Sequence, residues 1–361
     1  MQFDRKLILE DGSEFYGYGF GARTDTVCEV VFNTSVAGYQ EILSDPSYTD
    51  QAVVMSYPLI GNYGINSEDY ESRCVSPSAL IVRGLCESPS NFRSTGSVEE
   101  LLSDNGIPGL MGVDTRRLVR SIRDLGSRRG LLTDAAIPKE KGMEIIASSP
   151  VRHDAVRRRS CRKKWYSRTS NPRHQVVVID CGLKLNIVRM LNRERCNVTI
   201  VPFDTPAEEI LKLSPDGVVI SNGPGDPEDV SEVIETLKGL RGEVPMLGIC
   251  LGHQLTALSC GASTYKLKFG HRGGNHPVKD LRTGKIEITS QNHSYAVDEG
   301  SVAGTGLEVT RINLLDGTVE GLGSETDKIL TLQYHPESCP GPQDSAFLFG
   351  EFASMMRRQG R

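Results

Sequence analysis

Four short apolar runs rich in β-branched residues, "QVVVID" (175–180), "NVTIVPF" (197–203), "GVVISN" (217–222) and "PMLGIC" (245–250), alternate with segments of helical periodicity. Strands that are apolar throughout must be covered on both faces. With helices between them, they predict a mostly parallel sheet with helices on both faces. The runs "KIEITS" (285–290) and "ILTLQY" (329–334) are expected to extend it. In open sheets of this kind, ligands bind at the carboxyl ends of the strands. Gly223, Gly225, Cys250 and His335 all fall at or just past such ends, so their loops are expected to share one crevice.

The first half has another texture. "KLILEDGSEFYGYGF" predicts a hairpin around Asp11-Gly12, "EVVFNTS" a further strand, and "TRRLVRSIRDLG" a short helix stopped at Gly126. The 361 residues are ample for two cores. The expected organisation is a smaller α+β domain over 1–150, a basic linker over 151–174, and the α/β domain over 175–361. The linker is crowded with Arg and Lys, but it is a single tract in a chain of net charge −5. It therefore reads as a solvated connector and not as a nucleic-acid surface. No apolar run is long enough to span a bilayer, and "MQFDRKLILEDG" carries no signal-peptide pattern. Nine cysteines without CxxC spacing predict reduced thiols in a cytoplasm.

Several motifs test particular chemistries. "GYGFGA" (17–22) has glycine spacing seen in dinucleotide sites, but a strand-like "RTDTVCEVVF" follows where a phosphate-binding helix is required. There is no G-x-x-x-x-G-K-[ST] loop, so no nucleotide cofactor is expected in this chain. His253, His271, His276, His293 and His335 form no H-x-x-x-H pair and have no Cys pair beside them, so no metal is expected. "GICLG" (248–252) has the form of a strand-to-helix elbow, in which small residues flank an exposed nucleophile. A helix starting at Leu251 would bring backbone N–H groups and a positive dipole end to the Cys250 sulfur, the setting that activates cysteine nucleophiles. A nucleophile needs a base, and the base an orienter. "HPE" offers His335 and Glu337, two residues apart and expected on one side of extended backbone, with Pro336 stiffening the pair. "SNGPGDP" (221–227) would put bare amides on the crevice floor, where they and the Leu251 N–H suit a developing oxyanion.

"SNGPGDP", "GICLGHQ" and "HPE", in that order, resemble the motif set of the class I glutamine amidotransferase family. The first half, with one stretch of the second, narrows the resemblance. "FNTSVAGYQEILSDPSYTDQ" (32–51), "YPLIGNYG" (57–64), "SNFRS" (90–94), "DTRRLVRSIRDLG" (114–126) and "KFGHRGGNHPVKD" (268–280) are similar to the carbamoyl phosphate synthetase small-subunit family. The resemblance implies an N-terminal domain of swivelling β/β/α type that helps to dock a large synthetase subunit. It implies Cys250 as nucleophile, His335 as base, Glu337 as its partner, and the amides of Gly223 and Leu251 as oxyanion donors. Contacts to L-glutamine then fall on Ser47, Gly223, Gly225, Leu251, Gln254, Asn292, Ser294 and Tyr295. ATP and Mg would belong to the partner subunit, with no cofactor, nucleic acid or membrane for this chain. Ser294 stands where the family usually has glycine, so a positive φ there would strain the backbone. Two rivals are another amidotransferase, against which the first-half motifs speak, and a docking subunit with a silent site.

Overall fold

The computed structural model describes residues 3–357, so the extreme ends of the two expected domains, 1–2 and 358–361, lie outside the described residues. The chain divides into two compact units, Met1–Arg152 and His153–Arg361.

In the first unit, seven strands close into a barrel. The hairpin of Arg5–Leu9 and Glu14–Gly21 turns at Asp11-Gly12, where Gly12 has φ 79° and the Ser13 N–H donates to the Asp11 carboxylate at 2.9 Å. "GYGFGA" lies almost wholly in the second of these strands, and the strand Thr26–Asn33 follows it. The helix-dependent phosphate site therefore has no helix. Helix Thr115–Leu125 begins with an Asp114 cap on the Arg117 N–H and ends at Gly126, φ 99°. Apolar residues including Val31, Val53, Leu80, Tyr39 and Leu43 form the main core of the unit.

The second unit is built on a ten-stranded sheet. Its centre is parallel, in the order Cys196–Pro202, His174–Asp180, Gly217–Ile220, Met246–Ile249, Ile329–Leu332. Alternate residues of one strand enter different cores: Val177 and Ile179 join one cluster, Val176 and Val178 the other. That division is why the strand is apolar at every position. The sheet is more mixed than expected, because only these four strand pairings are parallel and five are antiparallel. A wing of Val319–Ser324, Glu308–Asn313, Thr264–Asp280 and Ile286–Val297 continues from the central strand Ile329–Leu332. Its strands interleave polar with apolar residues and carry register shifts, so they lack the continuous apolar signature of the centre.

The basic tract corrects the reading of a solvated connector. Residues Ala155–Arg159 form a helix whose Ala155 and Val156 are buried, and Trp165–Ser167 is an edge strand paired with Cys196–Pro202. Arg157 stacks its guanidinium over Phe203 at 5.1 Å and pairs with Glu232 at 2.8 Å, and Arg158 pairs with Asp154. The tract is thus part of the fold, although Arg157, Arg162, Lys163 and Lys164 themselves stay exposed.

Among the described residues, no helix is long and apolar enough to cross a membrane.

Candidate active site

The strand Met246–Ile249 runs directly into helix Leu251–Ser259, with Cys250 as the turn between them. Cys250 has φ 55° and ψ −104°, a conformation that side chains rarely adopt and that a surrounding structure must enforce. Two backbone anchors do so: its N–H donates to Leu332 O at 2.8 Å, and its C=O accepts from the His253 N–H at 3.1 Å. The flanking glycines are required by space. A Cβ on Gly248 would lie 2.6 Å from Gly252 O, and one on Gly252 would lie 2.2 Å from Ile220 O. The elbow closes only because both side chains are absent. Cys250 is 2% exposed, and its thiol donates toward Asn292 O at 3.6 Å.

His335 and Glu337 meet, but not across extended backbone. A turn follows His335, with the Ser338 N–H donating to His335 O, and it brings the His335 Nδ1 to 2.7 Å from Glu337 Oε1. Both side chains are buried. The His335 Nε2 has no hydrogen-bond partner among the described residues. Burial works to lower the imidazole pKa. The Glu337 charge outweighs burial, with Lys184 opposing and Cys250 assisting, so the ring is held well above its ordinary value. Glu337 is held low: burial works to raise it, but Lys184 and His335 prevail.

Lys184 escaped the sequence reading. Its Nζ lies 3.0 Å from Glu337 Oε1 and donates to Ser338 O at 2.6 Å, and it is 2% exposed. Its backbone N–H donates to the Asn222 side chain at 3.0 Å, tying it to the "SNGPGDP" loop. No motif marks it. Yet it lies just past the carboxyl end of the strand His174–Asp180, where the rule that located the other loops also applies. Asn186, two residues on, donates to Glu337 O.

Gly223 packs beside Leu251: a Cβ on it would lie 2.2 Å from Cys181 O and 2.8 Å from the Leu251 Cδ2. Gly225 has φ 92°. The His253 N–H is taken by Cys250 O, and the Leu251 and Gly252 N–H groups, at the very start of the helix, have no acceptor one turn back. Gln254 donates to Tyr295 O at 2.8 Å and to Gln333 Oε1 at 3.0 Å. Asn292, Ser294 and Tyr295 lie on the strand Ile286–Val297. Ser294 is not among the positive-φ residues, so the feared strain is absent, and its hydroxyl accepts from the buried Arg272 at 2.5 Å. Ser47 belongs to the first unit, on the turn Pro46–Tyr48, and its N–H donates to Asp45 at 2.9 Å. His253 is an internal residue, bonded to Thr331 Oγ1 at 2.8 Å and pushed down to about 3 by burial.

The buried pair makes a signed prediction. The raised His335 contributes stability fully below about 6.5 and loses it as pH climbs through the folded value. The lowered Glu337 contributes above about 4.5 and loses it as pH falls toward about 2. Glu337→Gln strands the Lys184 charge and should cost about 3 kcal/mol. The loss of melting temperature should be greatest between about 4.5 and 6.5 and shrink as the imidazolium is titrated. Equal losses at all pH values would mean that the pair is not ionic.

Residues 177–355 match the family model described as "Glutamine amidotransferase class-I", and residues 7–132 match "Carbamoyl-phosphate synthase small chain, CPSase domain". The chain is 52% identical over 353 residues to the carbamoyl phosphate synthase small chain of Bacillus caldolyticus, covering 98% of this chain and 96% of that one. It is 53% identical over 355 residues to the small chain of Bacillus cereus strain ATCC 10987, with the same coverage. To the pyrimidine-specific small chain of Halalkalibacterium halodurans it is 51% identical, over 98% and 97% of the two chains. With both halves matched in order and nearly the whole length covered, the chain belongs to the carbamoyl phosphate synthase small-chain family.

Proposed function

We propose that this chain hydrolyses L-glutamine and delivers the ammonia to a large synthetase subunit, which makes carbamoyl phosphate from bicarbonate and ATP. The observation that carries the reading is the buried His335–Glu337 pair, whose imidazole is influenced by Cys250 on the strained elbow. His335 takes the thiol proton before the attack and is held as imidazolium by the Glu337 charge, so the sulfur attacks the side-chain amide carbon as a thiolate. The amides of Gly223 and Leu251 receive the developing oxyanion. His335 returns the proton to the leaving nitrogen, ammonia departs, and water cleaves the glutamyl thioester with His335 again as base. Lys184 holds the carboxylate of Glu337 in its charged form. Gly225, Gln254, Asn292, Ser294 and Tyr295 hold the amino acid. ATP and Mg act on the partner subunit, and ammonia reaches it through a tunnel in the assembled complex.

Ammonia release from glutamine, measured for the chain alone and with its large subunit, tests this. The two chains should co-purify, with slow release alone and faster release together. No release in either state would sink the glutaminase reading, and a full rate alone would disprove coupling to the partner.

A further inference from the structure

The strand that carries Asn292, Ser294 and Tyr295 is held from behind by a buried polar network that the reaction does not use. His293 lies between two of the expected glutamine contacts. Its Nδ1 lies 2.7 Å from Tyr295 O, and the same carbonyl accepts from Gln254 at 2.8 Å. Its Nε2 lies 2.9 Å from the Gln291 amide oxygen. The Gln291 amide nitrogen lies 2.9 Å from Glu320 Oε2 and 3.1 Å from Thr289 Oγ1. Glu320 is fully buried, and its other oxygen accepts from Asn313 at 2.9 Å.

These contacts can be satisfied only with a particular number of protons. A carbonyl only accepts, so Nδ1 must carry a hydrogen. If the Gln291 oxygen faces Nε2, that nitrogen must carry one too, and the amide N–H then serves an ionised Glu320. If the amide is turned over, its nitrogen donates to Nε2, and its oxygen then faces Glu320, which must supply a hydrogen. In both arrangements the set contains one proton beyond a neutral imidazole and an ionised carboxylate. Without that proton, two acceptors face each other in a dry interior.

We propose that Glu320 is a positioning residue for glutamine, acting through Gln291 and His293 on the Tyr295 carbonyl, and that these three side chains hold one extra proton to do so. The inference rests on the glutaminase reading for its kinetic consequence. The groups facing the trio are His271, Arg272 and His276 of the strand Thr264–Asp280, and Asp316 beyond the strand Glu308–Asn313. Burial opposes charge on His271, but Asp316 at 2.9 Å and Glu320 at 3.7 Å outweigh it and lift the ring to about 9. Burial, with the charges of His271 and Arg272, pushes His293 down. His271, His293 and Glu320 also lie close enough to suggest a cation site. Both nitrogens of His293 are already engaged by protein groups, which argues against one.

Glu320→Gln is the discriminating variant, because its neutral amide can donate permanently to a turned Gln291. In the wild-type complex, the glutamine KM should rise about tenfold as pH climbs from about 6 to about 10, the equivalent of one unsatisfied buried group. In Glu320→Gln that rise should vanish. In Glu320→Ala, KM should be raised about tenfold at every pH with kcat within about twofold. An alkaline rise that persists in Glu320→Gln, or an unchanged KM in Glu320→Ala, overturns the proposal. NMR of protein labelled at histidine nitrogen and glutamate carboxyl carbon gives the proton count without an assay. At neutral pH, either His293 carries two ring protons or Glu320 is in its acid form. A singly protonated His293 beside an ionised Glu320 refutes the inference even in an active enzyme. If the wild type releases no ammonia, the glutaminase reading falls, and this count still decides the proton.

Discussion

Glutamine-driven ammonia release should fall ~10⁴-fold or more when Cys250 is replaced by serine, the scale on which a triad loses its nucleophile. The substitution changes one atom and leaves the elbow's backbone anchors, the Cys250 N–H on Leu332 O and its carbonyl under His253, in place. What changes is the acid that His335 must deprotonate, since a hydroxyl is a far weaker acid than a thiol. Glutamine binding should survive, because its expected contacts come from other residues. Carbamoyl phosphate synthesis from free ammonia by the assembled complex should survive as well. Parallel assays with glutamine and with ammonium salts provide the check. Retained glutamine-driven synthesis would remove Cys250 from the chemistry, and equal loss of both reactions would indicate a damaged fold or lost docking.

Gly252→Ala should be nearly as damaging, by a physical route. The added Cβ would lie 2.2 Å from Ile220 O and 2.9 Å from Ile220 Cβ. Ile220 ends the strand Gly217–Ile220, which is bonded between two parallel neighbours and cannot retreat. The helix must therefore lift from the sheet and carry the elbow with it. A cost of about 3 kcal/mol follows from overpacking of this kind. For a unit of this size it should lower the melting temperature by roughly 10 °C. Gly300→Ala is the control, since its Cβ would approach nothing nearer than 3.6 Å. It should cost within about 0.5 kcal/mol. Calorimetry of both variants tests the contrast, and similar melting temperatures for the two would show that the elbow tolerates a methyl group.

The parts legible from sequence were those in which one local rule suffices. The central strands show themselves because both faces are covered. Cys250 shows itself because an elbow needs small residues beside it, and the contacts at Gly248 and Gly252 supply the reason. The pairing of His335 with Glu337 was legible, although a turn and not extended backbone achieves it. Lys184 was not, because a lone lysine after a strand looks like any surface lysine until Glu337 arrives from 153 residues later. The antiparallel wing was largely hidden, since Thr264–Asp280 mixes polar residues with glycines that read as loop. The barrel of the first unit was hidden for another reason: several of its strands are only three to five residues long, and closure depends on pairings between distant segments. The basic tract misled because composition counts charges and does not show that Ala155, Val156, Cys161 and Trp165 among them pack into the fold.

That tract sets a limit on how this protein can be divided. A fragment beginning at Gln175 would keep "SNGPGDP", "GICLGHQ" and "HPE". It would nonetheless lack the edge strand Trp165–Ser167 and leave the Cys196–Pro202 strand with an open margin. Phe203 would lose its covering guanidinium, and Val156 would be missing from the core. The loop around Gly225 would also lose Ala155, which sits 3.4 Å from where a Gly225 side chain would begin. Such a fragment would offer a bare sheet edge for self-association, and its glycine loop would lack a wall. The smallest piece suited to studying the thiol alone therefore starts at about His153, upstream of all three motifs.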